Sequence, residues 1–252
     1  MKPPPRWLRR APLIREPLRR AAKRWGPKGP IDTTRDGLAF RLAPRDNKVD
    51  FDIWYKKRLN EVVERAFLME HLRPGEWFID VGANIGLYTI SVLAGVEGAR
   101  AVAFEPLDRL RARLDANIHL NGLSDRVSVR AEAVGPEGEM QLYESRNAGR
   151  SSLLPFDGAR PGRIVPVRPL HQVLRELDVR ASAIKIDIEG FESDALMPFF
   201  DATPPHEWPR ALVIETLHRG LWKRDCLTEL AASTYVLDGE TDENALLVRR
   251  TE

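Results

Sequence analysis

Cysteine is almost absent from this 252-residue chain, which contains a single one, Cys226. One thiol cannot form an internal disulfide, and it excludes a zinc site built on several cysteines. We interpret Cys226 as a small helix residue and not as a nucleophile. A reducing, cytoplasmic setting fits this composition best.

Long apolar runs are also missing. No stretch approaches the roughly 20 consecutive apolar residues that a membrane-spanning helix requires. The N-terminus carries charge but no apolar core, so we do not expect a secretory signal peptide. The five histidines are scattered along the sequence, and we therefore predict no metal site.

Positive charge is concentrated at the N-terminus. Residues 1–28 contain ten Lys or Arg and one acid, a charge of +9, while the remaining 29 bases and 36 acids give −7. The apolar residues of 17–26 fall on one face of a short basic helix: Leu18, Ala21, Ala22 and Trp25. We expect this arm to lie on an anionic membrane surface or on its own acidic domain, with nucleic-acid phosphates as the alternative.

From about residue 31 the sequence becomes globular, and apolar strands alternate with amphipathic helices. Strands are predicted over 37–44, 76–80, 101–105, 126–134, 182–190 and 210–216, and helices over 56–72, 85–96 and 169–177. This alternation predicts an α/β domain with a mostly parallel sheet covered by helices. The closing segment, 233–250, reads as two strands that add an antiparallel edge.

The stretch FIDVGANIGLYTI, residues 78–90, ends a strand on Asp80 and passes through a glycine turn into a helix. Such a turn lies at the carboxyl edge of the sheet, where open α/β sheets bind ligands. It departs from the G-x-G-x-x-G dinucleotide pattern, because Asn84 and Leu87 stand where glycines are needed. A carboxylate here suits a ligand with a cationic amino acid portion and not a pyrophosphate.

Two further strands lead to acids. Glu105 in AFEP is placed to accept both hydroxyls of a ribose. Glu132 in AEAVG is placed to bond an adenine amino group, and Ala133 leaves room for the ring. Together with Asp80 and the glycine turn, these residues describe a site for S-adenosylmethionine.

Three charged residues in the segment AIKIDIEGFE are spaced so that they would lie on one face of a strand. Lys185, Asp187 and Glu189 alternate with isoleucines, and buried charges are costly unless they are paired or serve a ligand. One interpretation is a structural ion pair of Lys185 with Asp187 or Glu189. The other has Asp187 beside the methionine end of the cofactor and Glu189 at the acceptor.

The motifs FIDVGANIGLYTI, AFEP and IKIDIEGFE, in this order, resemble those of the FkbM family of class I S-adenosylmethionine-dependent methyltransferases, over about residues 50–250. The resemblance implies a Rossmann-like, seven-stranded sheet with an antiparallel last strand, and O-methylation of a hydroxyl on a sugar, glycan or natural product. It assigns one turn and one strand end to the cofactor: Asp80, Gly82, Asn84, Gly86 and Glu105. We predict that Ala83, in the same turn, also contacts the cofactor. The resemblance places a second group in the active-site turn: Lys185, Asp187, Glu189 and Gly190.

Methyl transfer to an alcohol requires loss of the alcohol proton, which calls for a general base. The candidates are Asp187, Glu189, Glu215 and His218. The polar loop 146–162 contains Ser151 and Ser152, which are candidates either to contact the cofactor or acceptor or to cap the turn.

The domain division that follows has three parts. Residues 1–30 form a basic arm and linker, 31–75 an extension that covers the site, and 76–252 the methyltransferase domain. Two other functions remain open. One is a nucleic-acid methyltransferase that uses the arm on phosphates, and the other is a non-catalytic fold whose arm docks a membrane or a partner.

Overall fold

The computed structural model describes residues 26–145 and 147–250. Residues 1–25, with nearly all of the predicted basic helix, therefore lie outside the described residues. The described chain begins against the domain, because the Arg45 guanidinium donates two hydrogen bonds, of 2.6 and 2.9 Å, to the Gly26 carbonyl. Within this described part, no helix has both the length and the apolar character needed to cross a membrane.

The described chain contains twelve strands and seven α-helices. The strands are β1 (Ile31–Arg35), β2 (Leu38–Leu42), β3 (Trp77–Val81), β4 (Arg100–Phe104), β5 (Val127–Arg130), β6 (Ala133–Val134), β7 (Gly138–Glu144), β8 (Arg160–Arg168), β9 (Ala181–Ile186), β10 (Ala211–Glu215), β11 (Tyr235–Glu240) and β12 (Asn244–Arg249). The helices are α1 (Lys48–Lys56), α2 (Val62–His71), α3 (Leu87–Gly95), α4 (Asp108–Leu120), α5 (Leu170–Glu176), α6 (Glu192–Ala202) and α7 (Cys226–Ala232).

A seven-stranded sheet with the order β11-β12-β10-β9-β3-β4-β5 forms the centre of the domain. All neighbouring pairs from β10 to β5 are parallel, and β12 is antiparallel to both β10 and β11. The predicted fold class, a mostly parallel sheet whose last strand is antiparallel, is thus confirmed. The closing hairpin differs in one respect, because its second strand lies inside the sheet and β11 forms the edge.

The central strands are apolar on both faces because helices cover both faces of the sheet. Phe78 of β3 belongs to one buried cluster and Ile79, the next residue, to the other. Cys226 is fully buried in the second cluster, within α7, as its interpretation as a helix residue predicted. Parallel strands packed this way bring the ends of β3, β4, β9 and β10 to one edge.

The predicted helix over 56–72 is wrong in its boundaries. The chain instead forms α1 and α2, separated by a break in which Lys57 and Glu61 adopt left-handed backbone angles, with φ of 55° and 54°. Val62 and Val63, expected on the buried face, are 57% and 60% exposed. The break brings the start of α2 to the carboxyl edge of the sheet.

Two predicted strands are shorter than expected. The segment 126–134 leaves the main sheet after Arg130, and Ala133–Val134 pairs with β8 in a separate three-stranded sheet of order β6-β8-β7. The segment 182–190 leaves strand geometry after Ile186, and Glu189 is left-handed, with φ 57°. The alternation from Lys185 through Asp187 therefore does not extend to Glu189.

Candidate functional site

A cavity with about 620 Å³ of free space lies at the carboxyl ends of β3, β4 and β9. Seven of the residues singled out from the sequence line it together: Gly82, Asn84, Glu105, Ala133, Ser151, Ser152 and Asp187. Residues from five separate segments of the chain thus meet around one space.

Glu105 joins the end of β4 to the glycine turn. Its Oε2 accepts a hydrogen bond from the Asn84 N–H and its Oε1 one from the Leu107 N–H, both at 2.9 Å. Burial raises the pKa of Glu105 to about 7, against the opposing effect of these two N–H donors. Each carboxylate oxygen has a further lone pair with which it can accept a hydrogen bond from a ligand.

The turn after β3 requires glycine at its first position. Gly82 has φ 78°, and a Cβ placed there would lie 2.0 Å from the Asp187 carbonyl oxygen, so the two backbones cross in contact. Ala83 and Gly86 do not line the cavity. Ala83 is buried in the core, and a Cβ on Gly86 would lie 2.7 Å from Leu114 Cδ1.

Asp80 does not line this cavity either. Its Oδ2 accepts hydrogen bonds from the Thr89 hydroxyl at 2.6 Å and the Thr89 N–H at 3.1 Å. Burial raises the pKa of Asp80, although the nearby Lys185 charge opposes this. Asp80 thus ties β3 to the first turn of α3.

Lys185 lies beneath the same turn. Its Nζ donates to the Gly82 carbonyl at 3.0 Å and lies 3.5 Å from Asp187 Oδ2 and 3.8 Å from Asp80 Oδ1. Burial acts to lower the pKa of Lys185, but the charges of Asp187, Asp80 and Glu61 outweigh it and the pKa is raised. Of the two ion pairs considered from the sequence, Lys185 forms the one with Asp187.

Glu132 is not among the residues that line the cavity, although its neighbour Ala133 is. It forms an ion pair with Arg130, whose Nη2 lies 2.6 Å from Oε1. The reason is that the chain leaves the sheet at Arg130, so Glu132 is not at the end of a straight strand. Its predicted contact with an adenine remains a prediction that the geometry does not favour.

A strap formed by residues 147–154 covers the first cavity, which five of its residues line: Ala148, Gly149, Ser151, Ser152 and Leu153. The Ala148 N–H donates to the Asp46 carbonyl at 2.8 Å, and Asn147 Oδ1 accepts from the Lys48 N–H at 2.8 Å. On the other side, the Ser152 hydroxyl donates to the Glu189 carbonyl at 3.0 Å. The strap is therefore tied both to the start of α1 and to the turn after β9.

Asn47 is a site residue that the sequence reasoning missed. Its Nδ2 donates to Asn84 Oδ1 at 2.6 Å, and its Oδ1 accepts from the Val49 N–H as the N-cap of α1. Asn followed by an apolar-periodic segment is a helix-start signal, so the cap was visible in the sequence. Its contact with Asn84 was not.

A second and larger cavity, with about 1,670 Å³ of free space, adjoins the first. The two share Asn84, Gly149 and Asp187, which form the boundary between them. Glu189 and Glu215 line only the second cavity, and His218 approaches it by contacting Glu189, with 3.0 Å between Nε2 and Oε2. Of the four candidate bases, Glu189 and Glu215 thus line the second cavity, Asp187 lies at the boundary, and His218 reaches the second cavity through Glu189.

Three acidic residues of the second cavity have pKa values above their usual range. Burial and the Asp187 charge raise the pKa of Glu189 to about 7, although His218 opposes the shift. Burial and the charges of Asp187, Glu192 and Glu189 raise the pKa of Glu215 to about 10. Glu61, which sequence reasoning missed, has its pKa raised to about 7 by burial and by Asp187. Perturbed carboxyl groups that converge on a cavity are typical of functional sites.

Comparison with known proteins gives one family match and one curated relative. Residues 80–216 match the model of the methyltransferase FkbM domain. Over 181 residues the chain is 30% identical to the AMB antimetabolite synthetase AmbE of Pseudomonas aeruginosa, an alignment that covers 57% of this chain and 8% of that protein. The chain therefore spans a small fraction of this relative's length.

Solved structures with a similar fold are distant in sequence. An O-methyltransferase from Bacillus cereus in complex with SAH is 15% identical, with a TM-score of 0.45 and coverage of 75% of this chain and 82% of that one. A SAM-dependent O-methyltransferase from Thermotoga maritima is 14% identical, with a TM-score of 0.47 and coverage of 90% and 80%. An rRNA methylase from Streptococcus thermophilus is 12% identical, with a TM-score of 0.45 and coverage of 75% and 95%.

Proposed function

The chain belongs to the FkbM methyltransferase family, and from this premise we propose that it transfers the methyl group of S-adenosylmethionine to a hydroxyl oxygen of a sugar, glycan or other natural product. The methyltransferase family and its cofactor are the established part. The O-methyl outcome and the acceptor class are the proposal. Two adjoining cavities, which meet at Asn84, Gly149 and Asp187, are the observation that carries it.

The residues of the first cavity fit S-adenosylmethionine. Glu105 offers buried carboxylate lone pairs to the ribose hydroxyls, and Ala133 has a side chain small enough to leave space beside an adenine ring. Gly82 lets the backbone approach the ligand without a side chain, and Asp187 supplies negative charge toward the ligand's cationic end. When bound, the cofactor supplies an activated methyl group on a sulfonium.

The residues of the second cavity can prepare a hydroxyl for methylation. An alcohol has to lose its proton as the new C–O bond forms, and a base with a pKa near the working pH does this best. Glu189, with a pKa of about 7, meets that condition. His218 Nε2, 3.0 Å from Glu189 Oε2, holds the carboxylate in place.

The other two candidate bases are less well suited. Glu215 holds its proton at neutral pH because its pKa is raised to about 10. Asp187 is engaged by Lys185 at 3.5 Å and lies at the boundary between the cavities. We therefore assign proton removal to Glu189 and positioning to His218, with Asp187 next to the transferred methyl group.

Calorimetric titration with S-adenosylhomocysteine tests the cofactor side. Glu105→Ala and Glu105→Gln should weaken binding by about 1–3 kcal/mol, because each removes charged acceptors for the ribose hydroxyls. Glu132→Ala should leave binding unchanged, since Glu132 pairs with Arg130 outside the cavity. A loss at Glu132 equal to that at Glu105 would restore the adenine contact predicted from the sequence.

Mass spectrometry of products from a panel of hydroxylated acceptors tests the acceptor side. We expect a gain of one methyl group that depends on S-adenosylmethionine, with the methyl on oxygen by NMR. Binding of NADH with no response to S-adenosylhomocysteine would contradict the proposal altogether. Methylation confined to nitrogen or carbon atoms would contradict its O-methyl part.

A further inference from the structure

The second cavity is strongly acidic. Its walls contain eight carboxylate side chains against three cationic ones, a formal charge of −5. The three cations are exposed at the rim, and two of them are already paired. Lys56 lies 3.1 Å from Asp52 and Lys48 lies 3.3 Å from Glu243. The negative charge on the inner walls is therefore not neutralised from the rim.

The inner carboxylates include one with an unsatisfied atom. Glu215 is 4% exposed, and its buried Oε2 receives no hydrogen bond from a donor group among residues 26–145 and 147–250; the side chain beside it is a second carboxyl group, that of Glu192. A buried polar atom without a partner is costly and requires an explanation. Because Glu215 lines the cavity, a ligand that donates a hydrogen bond there is a direct explanation.

Glu61 lines the same cavity from the break between α1 and α2. It is held in a left-handed conformation, φ 54°, which non-glycine residues rarely adopt and which tends to occur at functional sites. The Asp187 charge acts on both Glu61 and Glu215. All three carboxylates line the second cavity, as Glu189 does.

The cofactor does not account for this group of acids. Glu61 and Glu215 line only the second cavity, whereas the cofactor cavity is lined by Glu105 and Asp187. Lys185 lies within 4 Å of Asp187 and Asp80, and its charge also acts on Glu61 but is not among the causes that shift the pKa of Glu215. The basic side chains near Glu189 are those of His218 and Arg150. Neither His218 nor Arg150 donates a hydrogen bond to Glu215 Oε2.

We propose that the acceptor carries a protonated amine near the hydroxyl that is methylated, as in an amino sugar or amino alcohol, and that Glu215 and Glu61 hold this ammonium group. The inference rests on the proposed function and specifies its acceptor. An ammonium group has three N–H donors and no acceptor, so it satisfies several carboxylates at once. In the described part of the chain, no three His, Cys, Asp or Glu side chains are arranged to bind a metal ion.

Binding of an ammonium group should also change the protonation state of Glu215. Glu215 holds a proton at neutral pH in the empty cavity. A cation beside a carboxyl group favours its ionised form. Binding should therefore release a proton from Glu215 to the solvent, which a neutral ligand of the same shape would not do.

The test is calorimetric titration of the full chain, saturated with S-adenosylhomocysteine, with the aminoglycoside tobramycin and with its fully N-acetylated form. The salt concentration is about 0.15 M, which screens exposed charges beyond about 8 Å. Titrations at pH 7 in phosphate and in HEPES, which differ in ionisation enthalpy, report proton release. Glu61→Gln and Glu215→Gln are compared with Glu137→Gln, the same change at an exposed acid outside the cavity.

Tobramycin should bind at least tenfold more tightly than its N-acetylated form and should release a proton. Glu61→Gln and Glu215→Gln should each weaken tobramycin at least threefold, and Glu215→Gln should reduce the release. Glu137→Gln should change neither. S-adenosylhomocysteine binding serves as the check that each variant is folded.

Equal binding of the two ligands would overturn the inference, and so would an equal loss in all three variants, which would indicate diffuse electrostatic attraction. These outcomes leave the methyltransferase proposal intact, because they are measured with the cofactor product already bound. Failure of the unmodified chain to bind S-adenosylhomocysteine would instead remove the proposed function and this inference together.

Discussion

Replacing Glu215 by Gln should make the stability of the domain less dependent on pH. Burial and three neighbouring carboxylates raise the pKa of Glu215 from 4.5 to about 10. Between these two values the folded protein holds a proton that the unfolded chain has released. Stability is therefore lost as pH rises through this window, by up to about 1.4 kcal/mol per pH unit.

The size of the effect at neutral pH follows from the same numbers. From pH 4.5 to pH 7 the cost of keeping Glu215 in place grows to at most about 3 kcal/mol. A Gln side chain does not titrate, so it removes this cost. It adds a buried amide whose hydrogen bonds are unmet, at about 1–3 kcal/mol, but that penalty does not change with pH. The slope is thus a cleaner measurement than the difference at any one pH.

Urea unfolding at several pH values between about 5 and 8 gives this slope. The free energy of unfolding of Glu215→Gln, minus that of the unmodified chain, should rise steadily across the series. The exposed Glu137→Gln should give a difference that does not vary with pH. Parallel curves for Glu215→Gln and the unmodified chain would refute the reasoning, because they would mean that Glu215 ionises normally in the folded state.

Two further predictions concern catalysis and the basic arm. Glu189→Gln should lower kcat about 10²–10⁴-fold and leave S-adenosylhomocysteine affinity nearly unchanged. The increase of kcat/KM as pH rises through about 7 should also disappear in this variant. Retained turnover in Glu189→Gln, with activity abolished in His218→Ala, would mean that the base is misassigned. Deleting residues 1–25, which keeps the Gly26 contact with Arg45, should leave S-adenosylhomocysteine binding intact and abolish sedimentation with anionic vesicles. If the full chain instead binds RNA with a steep salt dependence and does not bind vesicles, the nucleic-acid alternative is favoured.

The parts of the site that could be predicted are those encoded by neighbouring residues. Gly82 and Glu105 each stand where a strand ends, and the strand pattern alone brings such positions to one edge of a parallel sheet. The glycine turn could be assigned a ligand because its departure from the dinucleotide pattern is local as well. These residues do line one cavity.

The parts that were missed depend on contacts between distant segments. Lys48 and Asn147 are 99 residues apart, yet their hydrogen bond helps to fix the strap over the cofactor cavity. The helix predicted over 56–72 was wrong because two non-glycine residues, Lys57 and Glu61, adopt left-handed angles, a choice that tertiary structure makes and apolar periodicity does not reveal. The placement of Glu61 in the second cavity follows from that break.

The electrostatics of the two cavities differ because the buried cation Lys185 lies closest to Asp80 and Asp187, and no ion pair joins it to Glu61, Glu189 or Glu215 within the described residues. On the cofactor side, Lys185 lies within 4 Å of both Asp80 and Asp187, so these acids are compensated before any ligand binds. In the second cavity, burial and the Asp187 charge raise the pKa values of Glu61, Glu189 and Glu215, although Lys185 opposes the shift at Glu61 and His218 the shift at Glu189. A fixed lysine there would stabilise the fold but would occupy the position of a cationic ligand. The stability lost at Glu215 and the selectivity proposed for an ammonium-bearing acceptor are therefore consequences of the same arrangement, and substitution at this position should change both together.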